Sequence, residues 1–75
     1  MRTARGAYKI TYADENGQVC TEYQSFHETV SDELAHDIDT DRNLIYVLIG
    51  KDIAHCRWLI QYDILHIESL DFCID

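Results

Sequence analysis

The sequence has no proline, only three glycines (Gly6, Gly17 and Gly50) and, between Asp14 and Asp41, no lysine or arginine. Three glycines leave no glycine-rich loop to cradle a phosphate, so a nucleotide cofactor is not expected. No apolar run approaches the roughly 20 residues that cross a bilayer, so no membrane association is expected. Three cysteines, Cys20, Cys56 and Cys73, are an odd number. With no hydrophobic leader before them, they argue against the disulfide framework of a secreted domain. These features predict a cytoplasmic location. Six cations face fourteen acids, for a formal net charge of −8. A phosphate backbone attracts proteins through Lys and Arg, so direct contact with nucleic acid is not expected either.

What the sequence does have is segregated charge. Arg2, Arg5 and Lys9 make the first 13 residues basic, and Asp14, Glu15, Glu22, Glu28, Asp32, Glu33, Asp37, Asp39 and Asp41 follow without a cation among them. Like charges so grouped repel one another and are stable only against solvent or a basic partner. The apolar content of 47% is too high for a disordered acidic tail. Residues 1–75 are therefore read as a single folded domain with little core to spare.

Asn16-Gly17 is the sharpest local signal, and a two-residue loop there sets a hairpin register. Tyr12 then opposes Thr21, Ile10 opposes Tyr23 and Tyr8 opposes Ser25, placing Tyr8, Ile10, Tyr12 and Tyr23 on the inner face and Lys9, Thr11, Glu22 and Gln24 outside. Thr29-Val-Ser-Asp resembles an N-cap, and Val30, Leu34 and Ile38 form a stripe for a short helix. Leu44–Ile49 is a solid run of β-branched and aromatic residues, expected to be a central strand closed by a Gly50-Lys51-Asp52 turn. Residues 53–62 fit either periodicity: Ile53, Cys56, Ile60 and Ile64 are spaced for a helix, while Trp58, Ile60 and Tyr62 alternate as in a strand. The strand is favoured, with a bend at Asp63-Ile64 before a last strand. The predicted fold class is α+β, an antiparallel sheet of about five strands in ββαβββ order with one short helix packed on it. One helix covers one face, so the apolar central strand implies closure of the sheet into a barrel or a symmetric homodimer.

No motif carries chemistry. Asp37-Ile-Asp39-Thr-Asp41 imitates the start of a calcium loop, but Arg42 and Leu48 occupy the positions that need glycine and a closing glutamate. Cys20, His27, His36, His55, Cys56, His66 and Cys73 lack zinc-ligand spacing. His55 and Cys56 are neighbours whose side chains diverge on a strand, so they do not make a thiol and its base. The chain is not expected to be an enzyme or to hold a metal or cofactor.

By size, charge and lack of catalytic motifs it resembles the small acidic inhibitors that phages and mobile elements use against host nucleases. Anti-CRISPR and anti-restriction proteins are among these, and some immunity proteins against nuclease toxins are similar. The resemblance implies a basic, nucleic-acid-binding protein as partner, a nuclease or defence complex. Glu22, Glu28, Asp32, Glu33, Asp37, Asp39 and Asp41 would meet it as a mimic of a nucleic-acid backbone. The alternative is an assembly module that self-associates through an uncovered apolar sheet face.

Overall fold

The computed structural model describes residues 1–75. Strand β1 (Arg2–Ala13) turns into β2 (Val19–Val30), which leads to helix α1 (Asp32–Thr40), a single 3₁₀ turn (Arg42–Leu44), α2 (Ile45–Ala54), the short α3 (Arg57–Ile60) and β3 (Asp63–Ile74). The sheet is antiparallel with three strands in the order β2-β1-β3, so the first strand is central. Twelve-residue strands at about 3.4 Å per residue span about 40 Å, which accounts for the longest dimension of 43 Å.

The five-strand expectation is corrected at residues 44–62. Ile45, Leu48, Ile49 and Ile53 are all buried, and their i, i+3, i+4, i+8 spacing puts them on one face of α2. Tyr46 and Val47, which a central strand would bury, remain exposed. Gly50-Lys51-Asp52 lies inside α2 rather than in a turn, and residues 53–62 finish α2 and form α3 instead of a strand. Side-chain branching favours strands, but here the outcome was decided by what β1 needs. Its inner residues Ala4, Tyr8, Ile10 and Tyr12 are buried, and an amphipathic helix covers such a face where another strand would only extend the sheet.

The hairpin forms, but with a longer loop. Gly17 N donates to Asp14 O at 2.9 Å and Asp14 N to Gln18 O at 3.0 Å. The Asp14 side chain accepts from the backbone N–H of Asn16 and of Gln18, both at 2.9 Å. Gly17 alone has positive φ (76°), as in a type I turn followed by a bulge rather than a turn with two left-handed residues. The longer loop moves the register by one: Tyr12 pairs with Cys20, Ile10 with Glu22 and Tyr8 with Gln24. A one-residue slip exchanges faces, so Tyr23 lies outside with Lys9 and Thr11, and Glu22 and Gln24 share the helix-bearing side.

The core comprises the four β1 residues, Phe26 and Val30 of β2, Ala35 and Ile38 of α1, the four of α2 and Leu59 of α3. At about 1.5–3 kcal/mol for each large side chain removed from water, this one layer is the main stabilising term. Tyr12 stacks on Tyr62 (centroids 5.0 Å) and meets Trp58 edge-on (5.9 Å), closing one end. At the other, Arg42 lies 4.4 Å from the Phe72 ring centroid, tying the 3₁₀ turn to β3. The uncovered face carries Thr3, Arg5, Lys9 and Thr11 of β1 beside Thr21, Tyr23, Ser25 and His27 of β2. That mostly polar face removes the reason for a barrel or for a dimer through an apolar sheet face.

Candidate functional site

Helix α1 begins later than Thr29 because β2 continues to the buried Val30. Ser31 is the N-cap, its Oγ accepting from Leu34 N at 3.1 Å. This satisfies one of the orphan donors of the first turn, and Asp32 and Glu33 stand at the positive end of the helix dipole. Ala35 and Ile38 are buried and Leu34 partly so, which turns Asp32, Glu33, His36, Asp37 and Asp39 to solvent. Glu33 and Asp37 are one turn apart, with Cβ atoms about 6 Å from each other. Asp32 and Asp39, two turns apart, line the other flank of the exposed arc. Asp41 ends the helix, its N–H donating to Asp37 O at 2.8 Å and its carboxylate accepting from Asn43 N at 3.1 Å.

Five of the seven partner-binding candidates, Asp32, Glu33, Asp37, Asp39 and Asp41, are thus gathered on α1 and its C-terminal cap. Glu28 lies in β2, half-buried near its end, so it does not form a helical row with Asp32. Glu22 is exposed six residues earlier on the same strand, about 20 Å from Glu28. It stands apart from the helix.

The basic N-terminal segment does not neutralise this group. Arg5 pairs with Asp75, Lys9 with Glu68 at 3.4 Å, and Arg2 Nε donates to Asp75 O at 3.3 Å. No lysine or arginine lies within 4.0 Å of a carboxylate in 14–41; the nearest cation is the Met1 amino group, 4.0 Å from Asp32 Oδ1. All three ion pairs are exposed or nearly so, a setting in which such pairs add little stability.

Asp37 and Asp39 project from opposite sides of α1, so they do not converge with Asp41 on an ion, and no three His, Cys, Asp or Glu side chains cluster anywhere as ligands. His55 caps α2, its Nδ1 2.7 Å from Lys51 O. The Cys56 thiol is pushed up from its ordinary pKa by burial and then by the nearby Asp52 charge, the reverse of what activates a thiol nucleophile. A shallow depression of about 470 Å³ opens around Gly6 on the sheet, but Arg5 at its rim is engaged by Asp75.

Besides Tyr46, sequence reasoning missed two surface aromatics. Tyr23 is 68% exposed on the edge strand and Trp58 39% exposed beside Tyr12. The signal for Tyr23 was in the Asp14 side chain, which lengthens the loop and sets the register.

No protein-family model matches the sequence, and no curated protein or solved structure is significantly similar to it. No helix is long and apolar enough to cross a membrane.

Proposed function

We propose that this chain is a small acidic binding protein that blocks a basic, nucleic-acid-binding target, in the manner of anti-CRISPR or anti-restriction inhibitors. The observation that carries the reading is α1: its exposed arc presents Asp32, Glu33, Asp37 and Asp39, continued by Asp41, with no Lys or Arg from the same chain drawn to them. Carboxylates spaced about 6 Å apart on a helix repeat at intervals similar to backbone phosphates. A surface of one sign also accelerates encounter with a groove of the other sign, strongly at low salt. Glu28 flanks this surface from the end of β2, and Glu22 belongs to its periphery. An immunity protein would present the same surface to a nuclease toxin, so the chemistry of the target is common to both.

Pull-down from a host lysate at low and high salt, with captured proteins identified by mass spectrometry, tests the reading. A nuclease or other nucleic-acid-binding protein should be retained at low salt and released at high salt. Against that target, Glu33→Gln with Asp37→Asn should slow association about tenfold and flatten its salt dependence. Unchanged association rates would refute a charge-steered interface.

A further inference from the structure

The sheet has two edges, and only one of them is blunted. β3 departs from regular pairing with β1 between Ala7 and Tyr8 and again between Thr11 and Tyr12. One of its backbone donors, Ser69 N, is taken by the Tyr46 hydroxyl at 3.0 Å. Bulges and charged side chains such as Asp63, Glu68 and Asp71 are the means by which sheets keep edges from pairing. β2 carries two acids of its own, Glu22 and Glu28, but no bulge: it pairs with β1 through twelve residues without a shift, and it contains no proline, lysine or arginine.

The free hydrogen-bonding groups of β2 follow from the ladder. Asp14 and Gln18 form the closing hydrogen-bonded pair, and bonded pairs recur at every second residue in an antiparallel ladder. Cys20, Glu22, Gln24, Phe26 and Glu28 therefore spend their backbone groups on β1. Val19, Thr21, Tyr23, Ser25, His27 and Thr29 aim theirs outward, and no side chain returns to meet them.

We propose that a second copy of this chain pairs with β2 edge to edge, antiparallel about a twofold axis at Gln24, to make one continuous sheet of twice the width. Of the two registers that overlap the strands most fully, the one centred on Ser25 sets Glu22 opposite Glu28 of the other copy, a like-charge pair that opposes it. The register centred on Gln24 sets Glu22 opposite Phe26 and Glu28 opposite Cys20. It also places Tyr23 opposite Ser25 and diagonal to the other Tyr23, giving the exposed aromatic a neighbour. About a dozen backbone hydrogen bonds form. The antiparallel arrangement sends the two α1 helices to opposite ends, about 40 Å apart by strand rise, so their acidic arcs do not confront each other and remain open.

Sedimentation equilibrium from about 1 µM to about 1 mM protein tests this by mass action. The mass should rise from the 8.8 kDa monomer to twice that value. Because both copies are acidic, association should tighten as salt increases, the opposite of binding to a basic target, so this proposal and the functional one fail separately. Ser25→Pro removes an outward N–H that the monomer does not use and should weaken the dimer at least about a hundredfold with circular dichroism unchanged. A second variant reads the register without relying on proline. In a Cys56→Ser, Cys73→Ser background with oxidised glutathione as the two-electron oxidant, the thiol introduced by Glu28→Cys should form a disulfide with Cys20 of the other copy, giving a covalent dimer and releasing reduced glutathione, since the opposed Cα atoms would be about 4.5 Å apart. Glu22→Cys in the same background should not cross-link. A single 8.8 kDa species at every concentration, a Ser25→Pro protein that dimerises as tightly as the wild type, or cross-linking through Glu22→Cys in preference to Glu28→Cys overturns the proposal.

Discussion

The Tyr8 hydroxyl is the place where this core is most sensitive to a single atom. Tyr8 is fully buried at the centre of β1, and its hydroxyl donates to Asp52 Oδ2 of α2 at 2.7 Å. A hydrogen bond to a charged acceptor contributes about 1.5–3 kcal/mol. Tyr8→Phe removes the bond together with the need to desolvate the hydroxyl, and Asp52, partly exposed, returns to water, so the net loss should be about 1–2 kcal/mol. Asp52→Ala instead leaves a buried hydroxyl without an acceptor and should cost more, about 2–3 kcal/mol. For a domain of this size each kcal/mol lowers Tm by roughly 4–8 °C. Thermal and urea unfolding by circular dichroism should therefore rank the proteins wild type, Tyr8→Phe, Asp52→Ala, with the double variant matching Tyr8→Phe. If Asp52→Ala is no worse than Tyr8→Phe, the reasoning from an orphaned buried hydroxyl fails.

The same pair gives a pH dependence whose sign is fixed. Burial first, and then the Asp52 hydrogen bond and charge, raise the Tyr8 pKa above the ordinary tyrosine value. The folded state thus holds this proton more tightly than the unfolded chain does. The stabilisation is complete below about pH 10, the unfolded value, and is lost as the pH climbs from there toward the folded value. Tyr12, also raised chiefly by burial, acts in the same direction. Tyr8→Phe should shallow the alkaline fall in stability without abolishing it. An equally steep fall in that variant would remove Tyr8 from the account.

Gly6→Ala should be severe: an added Cβ would collide with the Asp71 carbonyl oxygen and sit 2.7 Å from Phe72 Cβ, so β3 must shift. A loss of about 3 kcal/mol or more is expected in denaturant titrations, whereas Gly50→Ala, with open space around it, should stabilise α2 by up to about 1 kcal/mol. Ser31→Ala, which removes the N-cap of α1, should cost about 1 kcal/mol and lower the amide-exchange protection of residues 32–38 before that of the sheet.

The parts of the architecture legible in the sequence were those set by nearest neighbours. Asn16-Gly17 marks a turn whatever surrounds it, and the stripe of Leu34 and Ile38 needs only one turn of helix to be seen. Where the reading failed, the deciding partner was distant in sequence. Leu44–Ile49 satisfies both periodicities, because six consecutive apolar residues contain an alternating set and a helical set at once. What separates them is the inner face of β1, about 40 residues earlier, which buries Ile45, Leu48, Ile49 and Ile53 and leaves Val47 outside. The hairpin failed for a smaller reason of the same kind. Asn-Gly favours a two-residue loop on its own, but Asp14 accepts two backbone N–H bonds, and those are available only in the longer one.

The candidate surface followed a different logic, because charge is legible where position is not. Composition alone locates the carboxylates between Asp14 and Asp41, and their grouping on α1 depends on a helix that its own stripe predicts. It does not show which of them stand on β2, apart from that group. The two-residue loop predicts Glu22 on the outer face, and the slip of one residue at Asp14 carries it to the helix-bearing side while turning Tyr23 outward; Glu28 shares that side because β2 runs on to Val30. The same slip decides what β2 exposes along its edge: backbone groups alternate with side chains, so a different register would have sent different residues toward a partner. One carboxylate in a turn thus sets the faces of a strand 12 residues long, and through them the division of this surface into an acidic helix and an unblunted edge.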